Sequence, residues 1–213
     1  MRAMMTRHYK LCVLCWVGLT VLLGGCASTT APPPSDRSPR LNIISVADWG
    51  GETVDMSKTA AKRHVPTLIT LHHGGVAFLR DKDPRQYLRN LQSWSRGTRM
   101  WADIPYHYLI DLDGNVYAGR DIHYAGDTNT EYDPSGHALI VVLGNFEEVE
   151  PNAAQLEAVT ATMTMLATRF NIAPDKIAGH KDFSAQTVCP GKALYPYLQN
   201  GYFQRQVADR LQR

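Results

Sequence analysis

Thr67-Leu68-Ile69-Thr70-Leu71-His72 is a run of β-branched and apolar residues, and Asp83-Pro84 shortly after it opens a stretch of a different period. The first run suits a buried strand. In the second, Asp83 is placed to cap a helix with Pro84 at its first position. Tyr87, Leu88, Leu91 and Trp94 then recur at helical spacing, and Gly97 can end the helix. Downstream, residues 106–117 carry Asp113-Gly114 between apolar runs, which predicts a hairpin with a two-residue turn. Residues 138–143 form another β-branched, apolar run. Asn152 and Gln155 have capping-box spacing ahead of a stripe of Leu156, Val159, Met163, Leu166 and Phe170. Ile177-Ala178-Gly179 reads as a short strand, and residues 192–198 and 203–211 as short helices. Strands alternating with helices, with one hairpin, predict an α/β fold: a single domain with a central mixed β-sheet flanked by helices.

Composition agrees with a globular chain. Of 213 residues, 44% are hydrophobic and 20% charged, which excludes long disorder, collagen and coiled coil. The formal net charge is +2, but Arg2, Arg7 and Lys10 lie in the first 25 residues, where there is no acid. The remaining 19 basic residues face 20 acidic ones, so the body lacks the basic excess of a nucleic-acid partner. Three of the four cysteines, Cys12, Cys15 and Cys26, precede the body; only Cys189 lies within it, so no disulfide framework is available there.

Residues 11–24 are uncharged and mostly apolar, long enough for the core of a signal peptide and short for a spanning helix. Leu23-Gly24-Gly25-Cys26 resembles the lipobox of bacterial lipoproteins, which implies that residues 1–25 are removed and Cys26 is lipidated. A soluble exported protein cut near the same small residues is the alternative. By the same resemblance, Ala27 after the cysteine favours the outer membrane, with the protein facing the periplasm. Residues 26–40, with Pro32, Pro33, Pro34 and Pro39 among Ser and Thr, read as a tether. The folded domain is expected over residues 41–213.

Cys189 has no partner for a disulfide in an oxidising compartment, where a lone thiol is a liability unless something holds it. His72 and His180 each sit at the end of a strand candidate, with a loop leading from His180 to Cys189. Two imidazoles and a thiolate would bind Zn2+ and leave its fourth position open to water. Spacing alone leaves a second possibility, a buried cysteine with two surface histidines.

Asp48-Trp49-Gly50, Leu71-His72-His73, Ile104-Pro105-Tyr106-His107-Tyr108, Asp113-Gly114-Asn115-Val116-Tyr117-Ala118-Gly119-Arg120, Gly179-His180-Lys181-Asp182 and Thr187-Val188-Cys189-Pro190-Gly191 follow one another in this order. Together they resemble the zinc N-acetylmuramoyl-L-alanine amidase family that includes the peptidoglycan recognition proteins. The resemblance implies a recognition-protein-like fold with a groove over the sheet for peptidoglycan or muropeptides. It also implies hydrolysis of the amide between N-acetylmuramic acid and L-alanine. It assigns His72, His180 and Cys189 as metal ligands. Tyr106 becomes the tyrosine beside the metal, and Thr187 a hydroxyl donor to the developing oxyanion. His73, Arg120 and His123 are the expected substrate contacts. His107 is expected to pack beneath the sheet and His137 to be structural. No acid lies within residues 138–143, and Glu147 and Glu148 read as a solvated turn. Zinc is therefore expected to supply hydroxide, with Tyr106 and Thr187 stabilising charge. A peptidoglycan-binding protein without activity, or a periplasmic zinc protein without wall chemistry, are the other classes. The chain is expected to act as a monomer.

Overall fold

The computed structural model describes residues 41–213. The expected signal peptide, lipidated Cys26 and tether lie outside the described residues. Six strands form one sheet in the order β1-β4-β3-β5-β2-β6. They are β1 (Ile43–Ile44), β2 (Leu68–His73), β3 (Tyr108–Ile110), β4 (Val116–Ala118), β5 (His137–Val142) and β6 (Ile177–Gly179). Only β3 and β4 run antiparallel; every other neighbouring pair is parallel, so the sheet is mixed as expected. The β5 strand is buried along its whole length, which explains its continuous apolar run: a parallel strand inside a covered sheet has no solvent face.

Helix α1 (Pro84–Gly97) starts where the sequence marks it, with the Asp83 carboxylate accepting from Arg85 N at 2.9 Å. Helix α2 (Ala153–Phe170) has its complete capping box: Gln155 N donates to Asn152 Oδ1, and Asn152 N donates to Gln155 Oε1. The two helices lie on opposite faces. Ile69, Leu71, Ile140 and Val142 pack with Val159, Met163 and Leu166 of α2 and with Phe203 and Val207 of α4 (Tyr202–Leu211). Leu109, Tyr117, Val141 and Leu143 pack with Leu88 of α1 and with Trp49. Among the described residues no helix is long and apolar enough to cross a membrane.

Three local expectations are corrected. The β3–β4 turn is not a two-residue turn. Asp111 N donates to Asn115 O at 3.1 Å, which leaves three residues between, with Gly114 in the left-handed region at φ +79°. The Asp111 carboxylate organises it, accepting from Asp113 N, Asn115 N, Asn115 Nδ2 and Tyr117 Oη at 2.8–2.9 Å. The helix expected over residues 192–198 shrinks to α3 (Pro196–Gln199). Ala193 N donates to Phe146 O, and Glu147 accepts from Lys192 N, so these residues are held to the β5–α2 connection. Strand β1 was not expected; two residues carry no readable period.

Candidate metal centre

His72 is buried near the C-terminal end of β2, on the α1 face, opposite in direction to Ile69 and Leu71. Strand β6 runs parallel beside β2, with Gly179 registered against Leu71, so His180 emerges next to His72. Their ring centroids are 4.6 Å apart. The loop then returns Cys189 to the same place: its carbonyl accepts from Lys181 N at 2.9 Å, and its Sγ accepts from His73 N at 3.4 Å. One ligand atom from each of the three residues lies within 4.8 Å of the others.

The donor set fits zinc. Cys189 Sγ is 3.6 Å from His72 Nδ1. Sulfur and nitrogen held tetrahedrally at about 2.3 and 2.0 Å from one ion would sit about 3.5 Å apart. Nε2 of His180 is hydrogen-bonded to Thr130 Oγ1 at 2.8 Å, which leaves Nδ1 as its free ligand atom. Burial shapes the charges. It holds His72 well below the ordinary imidazole range, assisted by His180, and lowers His180 to about 4. It pushes the Cys189 thiol up to about 12, opposed by the His73 N–H. The two neutral imidazoles offer lone pairs to a cation and little welcome to a proton, whereas the desolvated thiol keeps its proton until a cation displaces it.

Tyr106 stands alongside, its ring 5.2 Å from that of His72, and burial keeps its phenol protonated. It lines a solvent-open cleft of about 610 Å³ with Tyr87, Leu91, Trp94, Trp101, Val141 and Leu143. Thr187 Oγ1 accepts from Cys189 N at 3.1 Å and retains its hydroxyl proton for donation. A separate hollow of about 240 Å³ between Arg80 and Asp113 contains none of these residues.

His73, Arg120 and His123, the expected substrate contacts, are not among the residues lining the cleft beside Tyr106. The His73 ring points to the α2 face, stacked near Phe146 and accepting from Phe146 N at 3.2 Å, because neighbours in a strand face opposite ways. Arg120 is buried; its guanidinium donates to the carbonyls of Ile104, Ala125 and Asp103 at 2.6–2.9 Å and pairs with Asp127. It holds together the segments that wall the cleft and has no free face for a ligand. His123 is half-exposed, paired with Asp121, and meets Phe170 at the end of α2. His107 is a buried cross-link, with Nε2 donating to Tyr124 O and Nδ1 accepting from Leu139 N. His137 is tied to Thr70 Oγ1 at 2.8 Å. Sequence reading passed over Thr130, Tyr132 and the aromatic wall of Trp94 and Trp101. Trp94 is 43% exposed although it lies on the apolar stripe of α1; exposed aromatics on a helix otherwise explained by packing are the signal that was present.

The comparisons agree with this geometry. The Amidase_2 family, described as N-acetylmuramoyl-L-alanine amidase, matches residues 62–192. The chain is 30% identical to peptidoglycan-recognition protein SD of Drosophila simulans over 86% of its own length and 94% of that protein. It is 32% identical to the human N-acetylmuramoyl-L-alanine amidase over 53% of its length, which is 19% of that larger protein. The crystal structure of Drosophila peptidoglycan recognition protein SD superposes with a TM-score of 0.66 at 31% identity, covering 75% of this chain and 94% of the other. A family match over more than half of the chain, a shared mixed sheet and a histidine–histidine–cysteine cluster at the C-terminal ends of β2 and β6 converge: the chain belongs to the Amidase_2 family of N-acetylmuramoyl-L-alanine amidases.

Proposed function

We propose that this protein is a zinc-dependent N-acetylmuramoyl-L-alanine amidase that cleaves peptidoglycan or its fragments, held by a lipidated Cys26 on the outer membrane and facing the periplasm. The observation that carries the enzymatic reading is the ligand set. Relatives bear both recognition-protein and amidase names. Here two histidines and a cysteine lie together, with a protonated phenol beside them at the end of an aromatic cleft. His72, His180 and Cys189 would hold the zinc, which would supply Lewis-acid chemistry there.

The chain's own groups do the rest. The cleft receives the peptide stem against Trp94, Trp101 and Leu91, which exclude water from one side of the scissile amide. The Tyr106 phenol holds its proton and donates a hydrogen bond to the amide carbonyl oxygen, most strongly as negative charge develops there. Thr187 Oγ1 keeps its accepting bond from Cys189 N and directs its own proton toward the same oxygen. Arg120 and Asp127 fix the cleft wall. The anchor reading rests on residues 11–26 of the sequence, an uncharged apolar run ending in Leu23-Gly24-Gly25-Cys26.

Mass spectrometry of muropeptides after incubation with the zinc-loaded protein tests the reaction. The expected products are lactyl-muramic acid with a free carboxylate and a peptide beginning with L-alanine, absent after chelation and restored by zinc. Cleavage between sugars would overturn the amidase reading. Intact muropeptides retained by the protein would favour recognition without hydrolysis; the relative of 30% identity is named for recognition. For the anchor, Cys26→Ala should abolish lipid attachment; a variant processed and fractionated like the parent would overturn it.

A further inference from the structure

Residues 127–133 form a strap between β4 and β5 whose side chains reach different parts of the fold. Asp127 pairs with Arg120, Glu131 accepts from Ser184 Oγ at 2.6 Å, and Asp133 pairs with Lys62 at 3.1 Å. In its middle, Thr130 Oγ1 lies 2.8 Å from His180 Nε2 and 2.9 Å from Thr128 Oγ1, and Thr130 N donates to Thr128 Oγ1 at 3.1 Å.

The direction of the first bond decides what His180 can do. If the Thr130 hydroxyl donated to Nε2, the neutral imidazole would carry its proton on Nδ1, the atom facing Cys189 and His72, and could not ligate. If Nε2–H donates instead, Thr130 Oγ1 accepts, its own proton passes to Thr128 Oγ1, and Nδ1 presents a lone pair. The hydroxyls of Thr130 and Thr128 can be satisfied in either arrangement; only the second leaves His180 a ligand atom free. We infer that Thr130 is a positioning residue, which fixes His180 in the Nε2–H tautomer through the chain His180–Thr130–Thr128. The contrast with His72 supports it: His72 is held by its strand, and its Nε2 is buried with no partner among the described residues, whereas His180 lies just beyond β6 and is held from outside. Thr128 also lines the cleft, so the chain connects the cleft wall to the ligand cluster.

Taking His180 as a metal ligand, the inference rests on the zinc reading above, and the test separates the two. In the full chain labelled with 15N-histidine and freed of metal, the His180 ring should show a protonated Nε2 and a bare Nδ1. Thr130→Val removes the acceptor at equal shape and should redistribute the proton between the two nitrogens, while Thr130→Ser should restore the parent pattern. Thr130→Ala provides the same readout should the valine variant fail to fold. Zinc affinity, measured by competition with a chromogenic chelator, should fall 10–100-fold in Thr130→Val and recover in Thr130→Ser. A His180 tautomer unchanged in folded Thr130→Val or Thr130→Ala overturns the inference. A parent chain that binds no zinc overturns the metal reading and leaves the tautomer result to decide the inference.

Discussion

The two long helices cover opposite faces of one sheet and do different things with their apolar residues. Helix α2 buries Val159, Met163 and Leu166 completely against Ile69, Leu71, Ile140 and Val142. Helix α1 buries Leu88, but Tyr87, Leu91 and Trp94 line a solvent-open cleft instead of closing it. Strand β2 shows the division within a few residues: Ile69 and Leu71 turn to the sealed face, Thr70 and His72 to the open one. Burial on the sealed side contributes stability, about 1.5–3 kcal/mol for each large side chain removed from water. The other side keeps its polar groups and a place for a ligand. Stability and chemistry should therefore respond to different substitutions.

The most severe break falls on the open face. Cys189→Ser should lose most bound zinc and, with it, measurable amidase turnover. A hydroxyl is not deprotonated near neutral pH as a coordinated thiol is. His72→Ala should behave likewise. Equal zinc content in parent and His72→Ala chains, measured by elemental analysis, would remove the trio as the metal site.

A sharper form pairs one substitution from each face. Tyr106→Phe keeps the ring and removes the hydroxyl. It should cost about 10²–10³ in kcat with little change in KM, zinc content or urea midpoint. Met163→Ala on α2 should do the reverse, destabilising the fold by about 2–5 kcal/mol while the folded fraction retains its kcat. A Tyr106→Phe variant with parental kcat would take the phenol out of the reaction. A Met163→Ala variant that lost turnover without losing stability would show that the two faces are not separable.

How far the sequence was legible follows the same division. Strands β2 and β5, the two caps and the α2 stripe were readable because period and capping are local, and the sealed face is built from them. The ligand trio was readable from motif order, with spacing alone leaving it open. The structural part Arg120 plays was not legible, because the carbonyls of Asp103, Ile104 and Ala125 come round it only in the folded chain. The Asp113-Gly114 turn was misread because Asp111, outside the signal, captures Asn115 and Tyr117. The strap at 127–133 has no period at all, and its ties to Lys62, His180 and Ser184 are long-range, so nothing local in the sequence singled it out.

Acid should act through the histidines that burial keeps neutral. Burial lowers His107 to about 3, and lowers His64 and His137 as well. The unfolded chain takes up these protons near the ordinary imidazole value of about 6.5. Between that value and about 3 the unfolded state therefore binds more protons at His107 than the folded state does. Stability is full above about pH 6.5 and falls as pH drops through this window, by about 1.4 kcal/mol per pH unit from His107, with His64 and His137 adding in the same direction. Urea unfolding of the zinc-free chain at pH 7, 6 and 5 should show this slope. A free energy flat across that range would mean that the histidines are not buried neutral.

The smallest expected effect tests how finely the open face is divided between holding the metal and stabilising charge. Thr187 Oγ1 accepts from Cys189 N and has one proton left to donate. Thr187→Val removes both bonds, so a loss of turnover alone would not say which one mattered. The backbone bond positions a ligand and should register in zinc affinity; the donated bond acts only as the oxyanion forms and should register in kcat. An aliphatic hydroxyl is a weaker donor than a phenol and should contribute less, about tenfold in kcat. Thr187→Ser retains both bonds and should stay near the parent in both measurements. If Thr187→Val weakens zinc binding and leaves the kcat of the fully loaded protein unchanged, Thr187 supports the cysteine loop and Tyr106 is left as the side chain donating to the carbonyl oxygen.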